Sequence, residues 1–183
     1  TNHHYGYNVR KIYDAMWLMR DKIAARGKTD EYVKVLAYWS GLAETRKPYV
    51  YGRDELLDSW HTLLIPKLIS ALMLPSEAEQ YRAMKGLGVW LSGSLGFTPG
   101  TIGGIKPDGT TFHHGGFYPA YSTGAFAMIG YWCKATRGTD FILSEQARRN
   151  FKLALMSMAN YTDLRDWGPV SYTHLTLPTS DLV

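Results

Sequence analysis

Between Asp108 and Ser122 the chain reads DGTTFHHGGFYPAYS, and His113, His114, Tyr118 and Tyr121 fall within nine positions of one another. Imidazole and phenol groups take up and return protons, so acid–base chemistry is the first reading of this stretch. Zinc ligation is the second. Adjacent histidines rarely both reach one ion, and the chain has neither a cysteine cluster nor an H-E-x-x-H helix. No metal and no cofactor are therefore expected. The third reading is purely structural, with the same side chains hydrogen-bonding loop backbone. Outside this stretch, His61 beside Trp60 is a further candidate to line a cleft. Tyr118 has the apolar face and polar tip that stack on a sugar ring.

The elements that must hold these residues read as helices. Ile12, Met16, Met19 and Ile23 recur at steps of four, three and four, which predicts one apolar helical face ending near Gly27. A second helix is predicted over 30–44, with Val33, Leu36 and Ala37 inward. A third begins near Arg53 and runs through ELLDSWHTLLIPKLISALML, with a kink expected at Pro66. Pro75-Ser76-Glu77 starts a fourth, reaching about Ser92. Residues 93–120 lose all periodicity and read as a long irregular loop, a length that in compact domains is usually functional or disordered. Within it, Asp108-Gly109 marks a tight turn. Two more helices follow, at 121–138 and 144–162, the second with Ala147, Phe151, Leu155 and Met158 on one face. Trp17, Trp39 and Trp90 lie on apolar faces and are expected in the core. Helix pairs without convincing strands predict an all-α fold built from helical hairpins.

Composition sets wider bounds. The 183 residues are 45% apolar and 14% aromatic, which suits a packed domain with a carbohydrate cleft as well as a large core. A net charge of +4 is compatible with a polyanionic partner but too small to imply nucleic acid. One cysteine, Cys133, excludes an internal disulfide framework. No stretch approaches the roughly 18 apolar residues of a membrane span.

The closing stretch VSYTHLTLPTSDLV does not continue the helical pattern. The codons GTC TCT TAT ACA CAT CTG ACG CTG CCG ACG encode Val170 to Thr179, and that DNA is the end sequence of a transposase-based sequencing adapter. Residues 1–169 are therefore expected to be the native domain and 170–183 adapter read-through, which takes Tyr172 and His174 out of the functional argument.

The loop itself resembles the active-site segment of polysaccharide lyase family 8, the family that includes the chondroitin sulfate ABC lyases. That segment has the form D-G-[TS]-x-x-x-H-x-G-x-Y-P-x-Y-S. Asp108, Gly109, Thr110, His114, Gly116, Tyr118, Pro119, Tyr121 and Ser122 match it. NHHYGYNVRKIYDAMWLM resembles the family's H-H-[WY]-G-Y segment opening a helix, and LALMSMANYTD also has a counterpart. Two positions depart, since ABC lyases carry Arg where this chain has His113 and Glu where it has Gly115.

The resemblance implies an incomplete, truncated (α/α) toroid and eliminative cleavage of uronic-acid-containing glycosaminoglycans, an acidic polysaccharide substrate. It implies His114 and Tyr121 as catalytic residues and His3, His4 and Tyr5 as lining the same cleft; His113, Tyr118 and His61 complete the expected substrate contacts on their own position and chemistry. It also implies a secreted or periplasmic setting. The family's catalytic Arg would fall just after Asp166-Trp167-Gly168, so Arg165 does not fill its place. The chain as written is accordingly expected to show negligible turnover. A uronate lyase of alginate or heparin type, and a non-catalytic glycan-binding domain, are the alternatives.

Overall fold

The computed structural model describes residues 3–52, 55–163 and 168–169; of His3 and His4 only the backbone is described. Arg53, where the third helix was expected to begin, and the segment 170–183 lie outside the described residues. The architecture is mostly helical, as the periodicity predicts. Helix α1 spans His3–Leu18, α2 Arg20–Ala25 and α3 Thr29–Ser40, followed by a 3₁₀ turn over Leu42–Arg46. Helix α4, Leu56–Asp58, runs through a π-helical turn at Ser59–Leu63 into α5, Leu64–Leu72. Then come α6, Glu77–Ser94, α7, Ala120–Ala135, and α8, Glu145–Asn160.

Several predicted details change. Ile12 and Met19 are 49% and 45% exposed, whereas Tyr13 is fully buried. The helix breaks at Met19, so Ile23 belongs to a separate helix and does not extend the same stripe. Tyr13 takes the inward position because its hydroxyl donates to the Leu36 carbonyl at 3.0 Å, which removes the cost of burying it. The second helix stops at Ser40, where Gly41 adopts the left-handed conformation. Trp39 is 41% exposed, since α3 packs through Val33, Leu36 and Ser40 instead. On α8 the buried stripe is Ala147, Asn150, Phe151 and Ala154, leaving Leu155 38% exposed.

Pro66 perturbs its helix upstream, with the π-helical turn at Ser59–Leu63 lying within a turn of it. A proline has no N–H to donate and its ring crowds the carbonyl four residues back, and a widened turn accommodates both. Helix α6 begins as its sequence suggests: Ser76 Oγ caps it by accepting from the Glu79 N–H, and donates to the Glu79 carboxylate.

The segment 93–120 contains a small antiparallel sheet: β1 Gly104–Ile105, β2 Thr111–His113 and β3 Gly116–Phe117, in the order β1-β2-β3. Alternation over strands this short is invisible in sequence. The buried Lys106 anchors the sheet, its ammonium donating to the Thr98 and Ile102 carbonyls and the Thr98 hydroxyl. Beyond α8, β4 Thr162–Asp163 pairs with β5 Gly168–Pro169.

Two apolar clusters meet at α5, which is buried or half-buried along its whole length, Lys67 and Ser70 included. Leu57, Trp60, Leu64, Leu87, Leu91, Ile105, Ile129 and Trp132 belong to the larger; Tyr13, Ile23, Val33, Leu36, Ile69 and Met73 form the smaller. Trp60 is fully buried and its indole N–H donates to Ser94 Oγ at 2.9 Å, tying the π turn to α6. Helix α1 and α7 both pack on that turn. Two glycines permit the approach: a Cβ on Gly6 would stand 2.3 Å from Thr62 Oγ1, and one on Gly124 would stand 2.6 Å from the His61 ring. Among the described residues no helix is long and apolar enough to cross a membrane.

Candidate active site

Strands β2 and β3 are joined by two residues, His114 and Gly115, and both have positive φ, 51° and 77°. A two-residue hairpin whose twist matches its strands needs positive φ at both positions, and Asn or Gly suits the first of them best. His114 is the one described non-glycine residue in this region of backbone space. The turn carries its side chain out to solvent at the hairpin tip.

The hairpin is joined to the start of α7. Thr111 and Ser122 share a short hydroxyl–hydroxyl hydrogen bond, and the Tyr118 N–H donates to the Thr111 carbonyl at 3.2 Å. Tyr121, in the first turn of α7, is thereby set beside the tip. Its ring centroid lies 5.8 Å from that of His114, nearly perpendicular at 82°, and 4.5 Å from that of His113. Tyr118 closes the group at 4.9 Å from Tyr121. His113, His114, Tyr118 and Tyr121 thus form one cluster.

Beneath it lies Asp58, buried at the end of α4. One of its oxygens accepts from the Tyr7 hydroxyl at 2.5 Å, and the other faces His113 Nε2 at 3.4 Å. His113 is itself fully buried. Partial burial, then the hydrogen bond to Asp58 and its charge, push the Tyr7 phenol well above its ordinary range, so Tyr7 remains a donor.

His61, in the π turn, is half-buried. Its Nε2 sits 3.2 Å from an Arg10 guanidinium nitrogen and its ring meets Tyr7 edge-on at 5.6 Å. His61 therefore borders the group through Tyr7. Burial, then the Arg10 charge, hold its pKa below the ordinary 6.5, so His61 is neutral at pH 7. An imidazole with a lowered folded-state pKa binds its proton more readily in the unfolded chain, so stability falls as pH drops through 6.5 toward the folded value. His61→Gln should flatten that part of the profile, read from urea midpoints at about pH 7.5 and about pH 5.5.

Tyr5 is not brought to this cluster. Positions 5 and 7 are about 200° apart around a helix, so with Tyr7 turned to Asp58, Tyr5 points elsewhere. It stacks on Trp39 at 4.8 Å. The side chains of His3 and His4 lie outside the described residues.

Tyr7, Asp58 and Arg10 are site neighbours that sequence reading passed over. One signal was available. Asp58 is a lone carboxylate in the run LLDSWHTLLI, and a charge folded into an apolar helix must have partners waiting for it.

A family model described as "Lyase, catalytic" matches residues 1–174. The chain is 32% identical over 159 residues to the chondroitin sulfate ABC exolyase of Bacteroides thetaiotaomicron, an alignment covering 87% of this chain and 16% of that protein. It is 29% identical over 159 residues to the exolyase of the same name from Proteus vulgaris, covering 87% and 16%. With the chondroitin sulfate ABC endolyase of Proteus vulgaris it shares 29% over 176 residues, 95% of this chain and 17% of that protein. The chain thus spans only 16–17% of the length of these relatives.

Proposed function

Since the chain belongs to the lyase catalytic-domain family, we propose that it carries the proton-transfer half of a glycosaminoglycan lyase site, cleaving uronic-acid linkages in an acidic polysaccharide such as chondroitin sulfate by β-elimination. The observation that carries this reading is the convergence of the His114 imidazole and the Tyr121 phenol, 5.8 Å between ring centroids, at an exposed hairpin tip.

The chemistry asks for such a pair. A base removes the proton on C5 of the uronate, and the charge left behind spreads into the adjacent carboxylate. The C4–O4 bond then breaks, a C4–C5 double bond forms, and O4 leaves with a proton supplied by an acid. Tyr121 is suited to both transfers, taking the C5 proton and returning it to O4 across a short arc. His114 takes the C5 proton itself or holds the carboxylate, according to the stereochemistry at C5. Tyr118 offers a ring for the sugar to stack on. Tyr7, Asp58 and His113 brace the assembly from below.

The test is ultraviolet absorbance of the new double bond, followed on chondroitin sulfate with the longest reading frame that carries this domain. Turnover of chondroitin sulfate is the expected result. Turnover confined to alginate or heparin-like chains, or glycan binding without product, overturns the assignment.

A further inference from the structure

The same corner of the molecule gathers a second kind of chemistry. One ligand atom each from Asp58, His113 and His114 lie within 4.8 Å of one another. We propose that these three residues bind a zinc-class divalent ion, through one Asp58 oxygen and one ring nitrogen of each histidine. The proposal goes beyond the elimination reading and does not rest on it.

Neighbouring residues of an extended strand point to opposite faces, which is why adjacent histidines seldom share an ion. Here the positive φ of His114 breaks that alternation and folds its ring back over His113, 3.9 Å between centroids. The donor set is two imidazoles and a carboxylate, a combination suited to zinc, cobalt or nickel and poorly suited to calcium or magnesium, which take oxygen ligands.

Distance points the same way. A charge-assisted N–H···O bond closes to about 2.7–2.9 Å. His113 Nε2 and Asp58 Oδ2 stand 3.4 Å apart. Two ligands at about 2.0–2.1 Å from a tetrahedral ion are separated by about 3.3–3.4 Å, which matches. The surroundings also suit a metal. Asp58 and His113 are buried, and the Tyr7 hydroxyl orients the carboxylate through its other oxygen. The exposed His114 provides the way in, with Tyr121 beside it.

The experiment uses the 183-residue chain after treatment with chelator, titrated with Co(II) and followed by visible absorption, and with Zn(II) by calorimetry. One equivalent is expected to bind, with the intense d–d bands of four-coordinate cobalt. Because Asp58 and His113 are buried, the decisive variant is His114→Gln, whose side chain faces solvent; thermal melts establish that it folds. It should weaken binding by about 100-fold, and Tyr7→Phe by about 10-fold. Absence of binding, or His114→Gln binding as tightly as the unaltered chain, overturns the proposal. Neither readout involves turnover, so failure of the metal site and failure of the lyase assignment are separate results.

Discussion

Tyr121→Phe is expected to lower kcat/KM on chondroitin sulfate by about 1,000-fold, or about 4 kcal/mol of transition-state stabilisation. The ring contacts to Tyr118 and His113 survive this change, because phenylalanine keeps the same aromatic body. Only the hydroxyl is removed. If that hydroxyl moves protons, kcat falls while KM changes only a few-fold, the pattern of an interaction made only in the transition state. Steady-state kinetics on the longest reading frame carrying the domain separate the two parameters. A loss below about 10-fold would move the proton work to His114 alone.

Trp60→Ala should have the largest effect on folding, about 3–5 kcal/mol. Trp60 is fully buried in the larger apolar cluster, and its loss leaves a cavity and strips Ser94 Oγ of its indole donor. The π turn it belongs to also carries His61 and directly follows Asp58, so the damage reaches the candidate site. Chemical denaturation with circular dichroism gives the difference. Trp60→Phe restores much of the volume without the N–H, and should recover more than half of the lost stability.

Much of this organisation is legible in the sequence. Long periodic segments give the helices and their order, and the cap at Ser76 is visible as a short polar motif before Glu79. What escapes is set by tertiary pairing. Nothing in the sequence turns Tyr13 inward in place of Ile12 until the Leu36 carbonyl is found beside its hydroxyl. Leu155 outranks Ala154 in hydrophobicity, yet the small residue sits in the core. The strands of the hairpin are too short for any period to register. At the site, the cluster of His113, His114, Tyr118 and Tyr121 could be read from spacing because one hairpin, the first turn of α7 and the short link between them hold all four. How its buried floor is paired could not, because Tyr7, Asp58 and His113 come from α1, α4 and β2. The lone carboxylate in LLDSWHTLLI signals that Asp58 needs partners, but the chain separation leaves nothing local to name them.

His114 occupies a turn position that glycine or asparagine would fill with less strain, at a saving of about 1 kcal/mol. The molecule is thus slightly less durable at the very spot where the proposed proton transfer needs an imidazole. Selection of this domain for heat resistance alone would favour trading that residue away, so a variant bank screened only by melting temperature would be enriched in proteins lacking that imidazole.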